Sequence, residues 1–291
     1  MTRVYSRDEV RSIPIRTRRP LGSFISGDAR TRARGADGIE FAGLREYEVG
    51  DEVGRIDWSA TARLSKPWVR TYLEARGFPV IVMADISAST RCSVATTTPN
   101  EMIVDLAARL ASAAIWNGCE TALLLFADTI RQYVAAGSGA GQLTRIVQAL
   151  QTTGVPDGAP TDVTAALDFL QRTKQRRSLI FLLSDFLYGG FAEALRRCAS
   201  RHEVIAIGVE GPGRGELPDC GLVNVRDPET GQSLQIDTSS AEARAAIRDF
   251  FAAQRERHIA AFRQTGVDYL KLESGSEYIV SLTTFLRERG A

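Results

Sequence analysis

The sequence predicts an α/β fold, a doubly wound and mostly parallel sheet with helices packed on it. Three observations predict it. Two runs, Pro79–Ser87 and Ser178–Leu183, are almost wholly apolar, as in strands buried on both faces. From Phe78 onward strand and helix patterns alternate, the order that parallel crossovers require. The chain has 291 residues, enough for one large domain or for one domain with a smaller companion.

Each element follows from its own pattern. After Pro79–Ser87, Asn100 is expected to cap a helix whose apolar stripe is Ile103, Leu106, Ala107, Leu110 and Ala114. Thr121–Phe126 and Ile130–Ala135 read as strands joined by the short Ala127-Asp128 link, an antiparallel hairpin within the sheet. Helices follow over Leu143–Leu150 and Val163–Leu170, then the strand Ser178–Leu183, a helix over Phe191–Ser200 and a strand over Glu203–Val209. Leu222–Val225 and Ser233–Ile236 flank Asp227-Pro-Glu-Thr-Gly231, a hairpin with a Pro/Gly turn. A long amphipathic helix then carries Ile247, Phe250, Phe251, Gln254, Ile259 and Phe262 on or beside one face. Val267–Leu272 is a last strand and Tyr278–Arg287 a closing helix. No internal repeat is visible.

Before Phe78 the texture differs. Residues 1–37 hold nine Arg against four acidic residues and are broken by Gly and Pro, which predicts a basic extended arm. Residues 38–77 read as a small β subdomain, joined by the 217–237 hairpin, and 78–291 as the sheet domain. The arm's only aromatic residues, Tyr5 and Phe24, do not make the interleaved pattern of a nucleic-acid groove, so it is read as a solvated or docking tail.

Composition narrows the function classes. With 44% hydrophobic and 24% charged residues the chain is not disordered, collagen-like or of low complexity. A net charge of +1 gives no global field toward nucleic acid or membrane. Cys92, Cys119, Cys198 and Cys220 form no C-x-x-C pair, and two lie in apolar contexts, so buried thiols in a reducing compartment are expected. His202 and His258 are the only histidines, which argues against a His-based zinc site. No apolar run reaches the roughly 18 residues of a membrane span. Met1–Pro20 is Arg-rich without an apolar centre, unlike a signal peptide. The cytoplasm is the expected location.

The chemistry concentrates at strand ends. Asp85-Ile-Ser-Ala-Ser89 lies at the carboxyl end of the first apolar strand, where open α/β sheets bind ligands. The spacing of two lets Asp85, Ser87 and Ser89 converge as the strand opens into a loop. Thr161 follows Ala159-Pro160 at a helix start, and Asp185 ends the second apolar strand. If these strands are neighbours, all five groups meet in one crevice. Carboxylates and hydroxyls are hard oxygen donors that suit Mg²⁺ or Mn²⁺. No His lies near these segments to act as a general base.

This set resembles the metal-ion-dependent adhesion site of von Willebrand factor A domains. The resemblance implies that Ser87 and Ser89 bind the ion directly and Thr161 directly or through water. It implies that Asp85 and Asp185 act mainly through water, with one position left open for a partner's carboxylate. Upstream, Glu40-Phe41, Leu44-Arg45, Tyr47, Gly50-Asp51, Arg55-Ile56-Asp57-Trp58, Ala62-Arg63 and Val69-Arg70 resemble the signature of the bacterial family called domain of unknown function 58. The hairpin around Asp227–Gly231 is similar to that family's C-terminal part. Gly54, where a second Arg is common, and Thr90, where Met often stands, depart from the pattern without removing a proposed ligand.

The resemblance implies a von Willebrand factor A-like domain of the soluble type. It also implies a partner, a MoxR-type AAA+ ATPase, and a role as adaptor in chaperone-like maturation of client proteins that offer an acidic side chain. Arg45, Arg55, Arg63 and Arg70 with Glu46, Glu48, Asp51 and Asp57 are expected to form an internal ion-pair network. Phe41, Tyr47 and Trp58 are expected in the subdomain's core. Two alternatives stand beside this reading: a phosphotransfer protein with Asp85 as nucleophile, and a structural domain whose metal site is empty. Gly137–Gly141 reads as a loop and helix start, since no Walker Lys follows, and His258 as a partly buried structural residue.

Overall fold

The computed structural model of the protein describes residues 4–18, 39–47, 56–64, 66–74, 77–92, 97–154, 158, 160–173 and 176–289. In chain order the elements begin with α1 (Arg7–Val10), β1 (Ile39–Glu46), α2 (Trp58–Leu64), β2 (Trp68–Glu74), β3 (Gly77–Asp85) and α3 (Pro99–Trp116). They continue with β4 (Cys119–Phe126), β5 (Ile130–Gly137), α4 (Gly139–Thr152), α5 (Val163–Arg172), β6 (Leu179–Ser184), α6 (Ala192–Arg201) and β7 (Glu203–Glu210). The last are β8 (Leu222–Arg226), β9 (Ser233–Asp237), α7 (Ala241–Thr265), β10 (Asp268–Glu273) and α8 (Tyr278–Arg289). The chain divides into two compact units, Met1–Ser23 with Phe78–Ala291, and Phe24–Gly77.

The larger unit is built on a six-stranded sheet of order β10-β7-β6-β3-β4-β5. β3, β6, β7 and β10 pair in parallel, and β5 runs antiparallel to β4 at the edge. Counted along the chain within this sheet, the strand order is 3-2-1-4-5-6, that of a doubly wound fold. The expected fold class is the observed one.

The apolar runs are continuous because both faces of the central strands are covered. Val80, Val82 and Ala84 point into one core with α3, α4 and α8. Ile81 and Met83 point into the other with α5, α6 and Phe262 of α7. Helix α3 starts earlier than expected. Thr98 caps it, in a capping box with Glu101, and Pro99 takes the first turn where its missing N–H costs nothing. Asn100 instead donates to the Thr90 hydroxyl at 3.3 Å.

Residues 4–18 correct the expectation of a solvated tail. Tyr5, Val10, Ile13 and Ile15 are buried in the α3 core. Asp105 of α3 accepts the hydroxyls of Tyr5 and Tyr278 and the Arg109 Nε at 2.8 Å, tying both chain ends to one helix. Burial raises the Asp105 pKa, but these bonds outweigh it and hold the carboxyl below its usual range. The basic residues thus flank an apolar strap. The rest of the proposed arm lies outside the described residues.

In the smaller unit β1 and β2 pair antiparallel, with an irregularity between Phe41 and Gly43. Asp57 caps α2, accepting the N–H groups of Ser59 and Ala60 at 3.0 Å each. Trp58 is not core: it is 66% exposed at the first position of α2. A residue just after a cap faces outward when the helix's buried side begins with Ala60, which is 5% exposed. Of the expected charge network, Glu46 pairs with Lys66 at 2.6 Å. Glu48, Asp51, Gly54 and Arg55 lie outside the described residues. The hairpin β8–β9 is a two-stranded sheet of its own and groups with the larger unit.

All four cysteines are free, and Cys119 and Cys198 are buried. His202, between α6 and β7, is buried, and its Nδ1 accepts the Ser178 N–H at 3.3 Å. Burial, with Arg201 and Arg177 adding to it, pushes its pKa down to about 4. The folded chain therefore binds fewer protons than the unfolded chain between about pH 6.5 and 4. Stability from this group is complete above that window and is lost as pH falls through it. His202→Gln, which keeps an acceptor and cannot titrate, is expected to lose less Tm (or gain more) than the wild type between melts at pH 7.5 and pH 5, since the raised carboxyls Asp85 and Asp185 act alike in both proteins.

Candidate metal centre

The doubly wound order reverses between β3 and β6, so the loops leaving their carboxyl ends diverge and open a crevice. Asp85 ends β3 and Asp185 follows β6. Asp85 has no exposure, Ser87 none, Ser89 3% and Asp185 5%. Asp85 Oδ1 accepts the Ser87 N–H at 2.9 Å, and Oδ2 accepts the Ser184 hydroxyl at 2.6 Å. The hydroxyls of Ser87 and Ser89 stand 3.0 Å apart. The Thr90 hydroxyl donates to the Ser87 carbonyl at 2.8 Å and fixes the loop behind them.

Asp185 is turned inward by unusual backbone. Phe186 has φ +50°, the left-handed region that few side chains other than Gly tolerate. Its ring is locked among Phe191, Phe262 and Tyr269, with the Phe262 centroid 5.1 Å away. Packing on this scale can hold a residue in a sparsely populated conformation. The Leu187 N–H then donates to Asp185 Oδ1 at 3.2 Å, and Arg214 donates to the Asp185 carbonyl at 2.9 Å.

The two carboxylates disturb each other. Burial, and then the charge of Asp185, raise the Asp85 pKa to about 7 against the bonds from Ser184 and Ser87. Asp185 is also raised by burial, with Arg214 and the bonds from Leu187 and Ser89 opposing. Two dry carboxyls beside two hydroxyls are what a small divalent cation would relieve. Among the described residues no three His, Cys, Asp or Glu side chains are placed to hold a metal. The oxygens gathered here are hydroxyl and carboxylate, the hard donor type that suits Mg²⁺ or Mn²⁺. Asp85, Ser87, Ser89 and Asp185 form one bonded group. Thr161, half-buried before α5, is bonded instead to Glu229, whose carboxylate accepts the Thr161 hydroxyl at 2.7 Å. The charge of Glu229 in turn acts on Asp185.

The family described as "Protein of unknown function DUF58" matches residues 43–257, a span running from the signature segment through this crevice to α7. The chain belongs to the DUF58 family. Uncharacterized proteins of Mycobacterium tuberculosis and Mycobacterium bovis are 30% identical to this DUF58 chain over 292 aligned positions, covering 97% of it and 90% of their own length. Among solved structures, an aerotolerance-related membrane protein from Bacteroides fragilis is 15% identical with a TM-score of 0.44, covering 73% of this chain and 100% of that one. The SpRpn10 VWA domain is 10% identical with a TM-score of 0.37, covering 74% and 98%. No helix among the described residues is long and apolar enough to cross a membrane.

Two residues of the DUF58 crevice escape a reading of the sequence. Ser184 holds Asp85, although in the sequence it is only the last residue of an apolar strand. Glu229 reads as part of a Pro/Gly turn, and only the fold brings that turn to Thr161.

Proposed function

We propose that this DUF58 chain is a non-enzymatic, metal-dependent protein-interaction module in which Asp85, Ser87, Ser89, Thr161 and Asp185 hold Mg²⁺ or Mn²⁺. One observation carries this reading: two buried carboxyls and two hydroxyls meet at the switch point between β3 and β6. The bound ion would supply positive charge and a position for an incoming carboxylate. Ser87 and Ser89 would offer their oxygens, fixed in place by Thr90 and the β3 backbone. Asp85 and Asp185 would balance the charge while Ser184 and the Leu187 N–H keep them oriented. The partner then docks through an acidic side chain.

A non-enzymatic role is supported by Asp85 itself. Both of its oxygens already accept hydrogen bonds and it has no exposure, which is poor geometry for a phosphoacceptor. The partner we propose is a MoxR-type AAA+ ATPase, with the chain as its adaptor in maturing client proteins. Co-purification of the full chain with a MoxR-type AAA+ ATPase tests this. Capture is expected in Mg²⁺, lost in EDTA and restored by Mn²⁺. Capture that EDTA leaves unchanged would move the interface away from the metal centre.

A further inference from the structure

The carboxyl ends of β7 and β10 open into a second cavity, of about 290 Å³, walled by the loop after β7 and by α7. Glu210, 7% exposed at the end of β7, lines it. The Arg255 fork meets its two oxygens at 3.2 and 2.9 Å, and Lys271 Nζ of β10 lies 3.2 Å from Oε2. The Ser274 N–H donates to the Glu210 carbonyl at 2.8 Å and ties the two strand ends together. The helix wall follows from spacing: Arg248, Phe251, Ala252 and Arg255 stand at i, i+3, i+4 and i+7 and share one face of α7. The loop wall is set by glycine. Gly213 and Gly215 flank Arg214 at φ +67° and +86°, and a Cβ on Gly215 would lie 3.1 Å from the Phe251 ring. That close approach puts the Arg214 guanidinium over the ring, 5.6 Å from its centroid.

The charges lining the cavity do not cancel. Arg214, Arg248, Arg255 and Lys271 stand against Glu210, Glu216 and Glu273, one positive charge in surplus. Glu210 is already engaged by Arg255 and Lys271. Arg214 gives one nitrogen to the Asp185 carbonyl at 2.9 Å, and among the described residues neither Arg214 nor Arg248 is in an ion pair. Two guanidiniums on one cavity therefore keep donors for an outside anion, and their planar forks match a carboxylate. A surplus of one suits a single negative charge. A phosphate carries nearly two and would also meet exposed Glu216 and Glu273. The cavity adjoins the metal centre without being part of it. A gap of about 20 Å³, room for one water, is lined by Asp185 and shares Glu210, Arg214 and Arg255 with the cavity.

We propose that this cavity is a docking pocket for an acidic side chain of a partner protein, held by Arg214 and Arg248 as Glu210 is held by Arg255 and Lys271. The pocket needs no metal ion, so it stands or falls apart from the metal reading.

Binding of a rhodamine-labelled hexaglutamate peptide to the full chain, read by fluorescence anisotropy in EDTA, tests the pocket with the metal centre silent. At about 0.1 M salt, charges beyond about 10 Å are screened and local ones decide. The wild type is expected to bind hexaglutamate and not hexaglutamine. Arg248→Glu is expected to bind about tenfold more weakly, since one attraction is lost and a repulsion of like size replaces it. Arg257→Glu makes the same change of charge on α7 outside this cavity, beside Tyr188 and Phe191, and is expected to stay within about twofold of the wild type. Arg248→Lys, which keeps the charge and loses the fork, is expected to fall between the wild type and Arg248→Glu. Equal losses in Arg248→Glu and Arg257→Glu would overturn the pocket, as would a wild type that binds no hexaglutamate at millimolar concentration. Inorganic phosphate that displaces the peptide at a tenth of the acetate concentration, at matched ionic strength, would make the ligand a phosphate and overturn the assignment to an acidic side chain.

Discussion

Asp85→Asn is expected to abolish the response of the chain to Mg²⁺ and Mn²⁺. In the wild type an ion that binds only the folded state stabilises it by about 2.7 kcal/mol at a hundred times its Kd. For a domain of this size each kcal/mol is worth about 2–4 °C in Tm, so the shift is about 5–10 °C. Asn keeps an acceptor for the Ser87 N–H but removes the charge that would balance the cation. The variant should therefore melt at the same temperature in EDTA and in millimolar Mg²⁺. A second effect has the opposite sign. In EDTA the wild type buries two carboxyls whose charges oppose each other, and Asn relieves that opposition. Asp85→Asn is then expected to match or exceed the wild-type Tm without metal, the trade of stability for function seen at built sites. Differential scanning calorimetry reads both. An Asp85→Asn protein that still gains several degrees from Mg²⁺ would place the ion elsewhere.

How much of this was legible in the sequence depends on the range of the interaction. Pro79–Ser87 and Ser178–Leu183 announce buried strands because both of their faces meet helices, so burial leaves a continuous apolar run. The D-x-S-x-S of Asp85, Ser87 and Ser89 is local, and its loop is set by bonds within three residues. Asp185 was legible as a strand end, but its inward turn needs Phe186 at positive φ among rings from three other segments. The Thr161–Glu229 contact spans 68 residues. It could not be read from a turn motif whose local chemistry is complete without it. The N-terminal strap was misread for a related reason. Arginine counts over 1–37 dominate its composition, while the four apolar residues that bury it are too sparse to show a period. Trp58 was misassigned because aromatic identity says nothing about which side of a short helix is covered.

Arg289→Ala is expected to be the most damaging single change to stability. Arg289 is 5% exposed near the end of α8. Its Nε meets Asp268 of β10 at 2.6 Å, its guanidinium also pairs with Glu203 of β7, and it donates to the Arg16 carbonyl at 3.1 Å. Arg18 closes the ring, reaching Asp268 at 2.7 Å and the Arg289 carbonyl at 3.2 Å. One planar fork thus holds the N-terminal strap, two neighbouring strands and the closing helix. Breaking a buried pair from one side leaves carboxylates without their partner and costs about 3–5 kcal/mol. At about 2–4 °C per kcal/mol, Tm should fall by about 6–20 °C. Lys brings the charge but not the fork, so Arg289→Lys is expected to recover only the attraction to one carboxylate and to stay well below the wild type. Urea unfolding of the two variants measures this directly. If Arg289→Ala costs less than about 1 kcal/mol, the range for an exposed pair, then the strap is held by Tyr5, Val10, Ile13 and Ile15 alone, and the charged ring contributes orientation without stability.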